Sequence, residues 1–95
     1  MFSVIDPYKV RTPTFLLEQA PEAGVDSVCA DLFPKDGVES EEGHGYGKAW
    51  AFMANNGQVF TVYLRYGNPR IGGSALGPYT AADFQKWLLS LPYPA

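Results

Sequence analysis

Asn56-Gly57 lies within an alternating apolar stretch that runs from Lys48 to Tyr66. Such a pair accepts the positive φ values of a tight hairpin loop, so it constrains the fold more than any other feature of the chain. Read as a two-residue loop, it sets Met53 opposite Phe60, Ala51 opposite Val62 and Ala49 opposite Leu64 on one face. The other face then pairs Ala54 with Val59, Phe52 with Thr61, Trp50 with Tyr63 and Lys48 with Arg65. The first face, a mixture of small and large apolar groups, is expected to lie under a helix. The second, with an aromatic centre and a basic end, is expected to stay open to solvent. A three-residue loop would slip the register by one and redistribute both faces.

Other segments follow from spacing. Val25, Val28, Cys29, Leu32 and Phe33 recur at the helical period, and Pro34 follows them. They predict a helix over about Glu22 to Leu32, with Gly24 as a weak point. Thr80 with Asp83 three residues later resembles a capping box, and Phe84, Trp87, Leu88 and Leu91 continue it as a second helix ended by Pro92. Arg70 to Leu76 reads as a third strand after a Gly67-Asn68-Pro69 turn, with Gly72-Gly73 marking a bulge or an edge. Phe2 to Ile5 reads as a brief strand or loop anchor. Thr12-Pro13 reads as the cap of one helical turn containing Phe15 to Leu17. The 10 glycines and 8 prolines favour turns over long helices. The expected fold is α+β: a small antiparallel meander of three to four strands with about two helices packed on one face.

At 95 residues the chain is expected to be a single domain, residues 1–95, with one modest core. An apolar content of 46% argues against disorder for most of it. No apolar run approaches membrane-spanning length and no basic-then-apolar leader is visible, so no membrane association is expected. One cysteine excludes an internal disulfide framework and fits a reducing, cytoplasmic setting.

Charge is uneven. Residues 1–47 hold three cations against nine carboxylates, a net of −6, whereas residues 48–95 hold four cations against Asp83 alone, a net of +3. Much of the negative charge falls in a glycine-rich stretch, about 35–47, that includes Asp36, Glu39, Glu41 and Glu42 and is expected to be a mobile acidic loop. It would steer a basic partner by long-range attraction.

Catalytic chemistry finds little support. Cys29 falls on the apolar stripe of the first helix, and His44, the only histidine, lies among glycines that offer no rigidity for a nucleophile pair. Glu39, Glu41, Glu42 and His44 lack the His and Cys ligands that zinc prefers and the spaced pattern of a calcium loop, so no metal is expected. Gly43-His44-Gly45-Tyr46-Gly47 follows glutamates and opens a strand, the opposite of a phosphate loop. No cofactor and no enzymatic activity are expected.

The residue types point instead to recognition. Lys48, Trp50, Phe52, Tyr63, Arg65 and Arg70 are expected to form an aromatic and basic hairpin face, since Trp, Tyr and Arg dominate interface hot spots. Asp36, Glu39, Glu41 and Glu42 would form a second, acidic contact. The expected function is a non-enzymatic protein-binding module, a small acidic adaptor or inhibitor of the phage or mobile-element type that docks on a larger protein. The alternative is a single-stranded nucleic-acid binder using the hairpin aromatics, disfavoured by the net charge of −3. A second alternative is a small-ligand protein with a pocket gathering groups such as Asp6, Arg70 and Tyr79. Leu89 and Tyr93 could extend an apolar patch into a homodimer contact.

Overall fold

A computed structural model of the chain describes residues 2–7, 17–40, 47–65, 67–74 and 77–93. Its elements run β1 (Phe2–Ile5), β2 (Leu17–Gln19), α1 (Val25–Leu32), β3 (Val38–Ser40), β4 (Gly47–Ala54), β5 (Val59–Arg65), β6 (Asn68–Gly73) and α2 (Ala81–Leu89). The expected α+β arrangement forms, with β4, β5 and β6 as its meander. The sheet is antiparallel throughout, in the order β1-β4-β5-β6-β2. The short strand β3 pairs Gly47 to Ala49 of β4, beside the Ala51 to Ala54 segment that pairs β1.

The hairpin forms, but its register differs from the two-residue reading. Ala49 lies opposite Tyr63, Trp50 opposite Val62, Ala51 opposite Thr61, Phe52 opposite Phe60 and Met53 opposite Val59. The loop is Asn55-Asn56-Gly57, closed by Gly57 N donating to Ala54 O at 2.9 Å and Ala54 N donating to Gln58 O at 2.8 Å. Gly57, at φ 92°, supplies the left-handed residue that ends a three-residue loop. This slip of one residue puts Trp50, Phe52, Ala54, Phe60 and Val62 inside. Met53, expected to be hidden, is 39% exposed on the opposite face, although its neighbour Ala51 is fully buried there.

The volume of the aromatic side chains accounts for the choice. Phe2, Phe52, Phe60 and Phe84 fill the space between sheet and helices, with the Phe60 and Phe84 rings stacked at 5.2 Å and 6°. Phe52 meets Phe84 at 5.3 Å and Phe33 edge-on at 5.2 Å. Val25, Val28 and Cys29 of α1 and Phe84 and Leu88 of α2 join the same cluster, so both helices cover one face of the sheet. Facing Ala49, Ala51 and Met53 inward would have left this space underfilled.

Three segments differ locally from expectation. Helix α1 begins at Val25 rather than Glu22, because Gly24 at φ 92° is left-handed and cannot continue a right-handed helix. The stretch expected to be loop contains β3, and Leu17 opens a strand rather than belonging to a helical turn. Asn68 and Pro69 lie in β6, opposite Arg65 and Leu64. The capping box of α2 is as expected: Asp83 N donates to Thr80 Oγ1 at 3.1 Å, and Thr80 N donates to Asp83 Oδ2 at 2.9 Å. Residues 8–16 and 41–46, which include the proposed Thr12-Pro13 cap, Glu41, Glu42 and His44, lie outside the described residues.

Candidate functional site

The six hairpin residues do not share a face. Trp50 is 5% exposed and Phe52 fully buried, so neither presents a surface. The Trp50 indole Nε1 donates to Phe33 O at 2.8 Å, which fixes the end of α1 against β4. Gly37 lies flat on this indole, where a Cβ would come within 2.8 Å of the ring. Lys48, exposed and two residues from Trp50, donates its Nζ to Pro34 O at 3.4 Å. Tyr63 and Arg70, both half-buried, are cross-strand neighbours on the opposite face, and Arg65 ends β5 opposite Asn68. The correction has one cause, the three-residue loop, which turns Trp50 inward and leaves Tyr63 outward. A stacking platform combining Trp50, Phe52 and Tyr63 for a nucleic-acid strand is therefore not formed.

Of the four acidic residues, Asp36 and Glu39 lie among the described residues. Asp36 is exposed in the turn after α1, where its N–H donates to Phe33 O at 3.2 Å. Glu39 is exposed on β3, opposite Lys48. On the face away from the helices, Ser3 and Met53 are exposed, and Ile5, Ala49, Val59, Thr61, Tyr63 and Arg70 are half-buried. This face mixes aliphatic, aromatic and basic groups. At the C-terminal end of α2 and beyond it, Leu89 is 38% exposed and Tyr93 56%, with the Tyr93 hydroxyl donating to Asp31 Oδ2 at 3.4 Å.

Burial governs the one thiol. Cys29 is fully enclosed, and burial, helped by the nearby Asp26 carboxylate, pushes its pKa up to about 12. It is therefore protonated at neutral pH and lacks the thiolate that a nucleophile needs.

Two shallow grooves indent the described surface. One, of about 410 Å³, runs between the entry to α1 and the start of β6 and includes Glu22, Asp26 and Arg70. The other, of about 360 Å³, borders the start of α2 and includes Ser74, Tyr79 and Thr80. Asp6, Arg70 and Tyr79 are not brought together: Arg70 lines the first groove, Tyr79 the second, and Asp6 neither. Among the described residues no group of three His, Cys, Asp or Glu side chains is placed to hold a metal ion. No helix of the described residues is long and apolar enough to cross a membrane.

Two buried amides escape sequence reasoning. Gln58 donates Nε2 to Tyr79 O at 2.9 Å and accepts on Oε1 from Tyr79 N at 3.0 Å, so its side chain pairs with the backbone like an extra strand residue. Gln85 accepts on Oε1 from Glu22 N at 2.6 Å and ties α2 to the entry of α1. Both partners lie far along the chain, and only the glutamines' positions beside a turn and on a helix were readable.

Comparison with protein-family models, curated proteins and solved structures returned no match to this chain.

Proposed function

We propose that this protein is a non-enzymatic binding module, an acidic cytoplasmic adaptor or inhibitor that docks on a larger, basic protein. The observation that carries the reading is the one-sided placement of the helices. Both cover one face of the sheet, and the other keeps an exposed Met53 opposite half-buried Val59, with half-buried Tyr63 further along β5 opposite Ala49. Aromatic and methionine side chains on a mixed surface are the material of interface anchors. Exposed Asp36 and Glu39 add negative charge that would speed the encounter with a basic partner. The docking surface is thus the sheet face away from the helices, from Met53 and Val59 to Tyr63, together with exposed Asp36 and Glu39, not the Trp50 side.

The test is affinity capture at low salt from a lysate of the source organism, comparing the unmodified protein with a Met53→Asp, Asp36→Lys double variant. Both positions are exposed, so the double variant should keep the melting temperature. A protein retained by the unmodified chain should be lost from the variant. Retention of the same proteins by both, or by neither above bare resin, overturns the reading. Sizing the protein alone over a concentration series checks the competing use of Leu89 and Tyr93 in a homodimer.

A further inference from the structure

Asn56-Gly57 carries a chemistry that a hairpin does not require. The amide nitrogen after an asparagine can attack that residue's side-chain carbonyl. A new C–N bond closes a five-membered succinimide, and the side-chain nitrogen leaves as ammonia. Water then opens the ring at either carbonyl to give aspartate or isoaspartate, and no oxidant or reductant is involved. Glycine as the second residue favours the attack because it has no Cβ to obstruct it.

Here each reacting group is engaged elsewhere. Gly57 N, the nucleophile, donates to Ala54 O at 2.9 Å. Asn56 Nδ2, the leaving nitrogen, donates to Gln58 Oε1 at 2.8 Å. Asn56 Oδ1 accepts from Gln58 N at 3.0 Å. Gln58 is in turn 7% exposed and pinned by its two bonds to the Tyr79 backbone. Gly77 packs so closely on it that a Cβ there would lie 2.4 Å from Gln58 Cδ. The Tyr79 hydroxyl completes the contact by donating to Asn55 Oδ1 at 3.0 Å. The hairpin tip is thereby fastened to the segment that enters α2.

We infer that Asn56 is a latent site of self-modification, held unreactive by the Gln58–Tyr79 contact and converted when the hairpin tip opens. Removing the Gly57 proton in the closed tip would leave an anion facing Ala54 O, and ring closure would pull the Asn56 side chain away from Gln58. Reaction therefore proceeds from the opened tip. The three hydrogen bonds that opening breaks slow it on the order of 100-fold. The products cannot restore the contact. Aspartate replaces the Nδ2 donor with an oxygen that faces Gln58 Oε1, and isoaspartate adds a methylene to the main chain of a loop whose length sets the register. Conversion thus records past opening of the tip.

The intact protein, held at mildly alkaline pH in buffer and in unfolding urea, tests this by peptide mapping of the amide-to-acid mass change and of isoaspartate at Asn56. Conversion should be on the order of 100-fold slower in buffer, the factor set by tip opening. Equal rates in the two solutions would overturn the inference. A Gln58→Leu variant in buffer should convert faster than the unmodified protein, and an unchanged rate would equally overturn it. If that variant does not fold, the comparison of folded and unfolded wild-type chain decides alone.

Discussion

Replacing Phe84 with alanine should cost about 3–5 kcal/mol, the usual range for emptying a buried phenylalanine site. Phe84 is fully enclosed and touches rings from three strands or helices at once: Phe2 of β1 at 5.6 Å, Phe52 of β4 at 5.3 Å and Phe60 of β5 at 5.2 Å. Trp87, one helical turn on, lies 6.4 Å away on the same face of α2. The cavity would open where sheet and helices meet, and the flanking rings are too tightly interlocked to collapse into it. Domains of this size are commonly stable by about 5–15 kcal/mol, so the loss is a large fraction of the total. Urea unfolding followed by circular dichroism measures it. Leu89→Ala on the exposed side of the same helix, where the side chain is 38% accessible, should cost less than about 1 kcal/mol. Similar losses for the two variants would contradict the placement of the core.

Gly73→Ala should be nearly as damaging for a different reason. Gly73 sits at φ 123°, outside the range that residues with a Cβ adopt readily. A Cβ built there lies 2.2 Å from Val59 O and 2.8 Å from Phe60 Cα, and both obstacles are backbone rather than a side chain able to swing away. Val59 O is also the acceptor for Ser74 N at 2.8 Å, so moving it breaks the end of the β5–β6 ladder. Backbone strain and overpacking together predict a loss of about 3 kcal/mol or more. Gly57 provides the comparison. It is also left-handed, at φ 92°, but nothing lies within 4 Å of its missing Cβ. Gly57→Ala should therefore show strain alone, about 1–2 kcal/mol. Thermal melts of the two variants separate the contributions, and equal losses would show that close approach at Gly73 is unimportant.

The sequence discloses elements whose causes are local. Thr80 and Asp83 announce the start of α2 because both capping bonds span only three residues. Asn56-Gly57 announces a turn because its backbone preferences are intrinsic. The same pair serves either the two-residue or the three-residue loop, so the register needs information from outside the hairpin. That information is packing. The set containing Trp50, Phe52, Phe60 and Val62 is bulkier and more apolar than the set containing Ala49, Ala51, Met53, Thr61 and Tyr63, and weighing volume between the two faces would have favoured the observed one. The candidate site inherited the error, since Trp50 and Phe52 were assigned to solvent with the slipped register. The short strands β2 and β3 were not legible at all, because three residues carry no periodicity, and β2 in addition pairs with β6, distant in the chain. Gln58 is a similar case: its burial depends on Tyr79, 21 residues away.

Nuclear Overhauser contacts between Hα protons across the hairpin test the register, and with it the inward position of Trp50, most directly. Val59 O bonds to Ser74 N rather than toward β4, which makes Met53 and Val59 a non-hydrogen-bonded pair, the kind whose Hα protons approach closely. Strong Hα–Hα contacts are expected for Met53 with Val59, Ala51 with Thr61 and Ala49 with Tyr63. Contacts of Ala54 with Val59 and Phe52 with Thr61 would instead establish the two-residue loop and return Trp50 to the outer face.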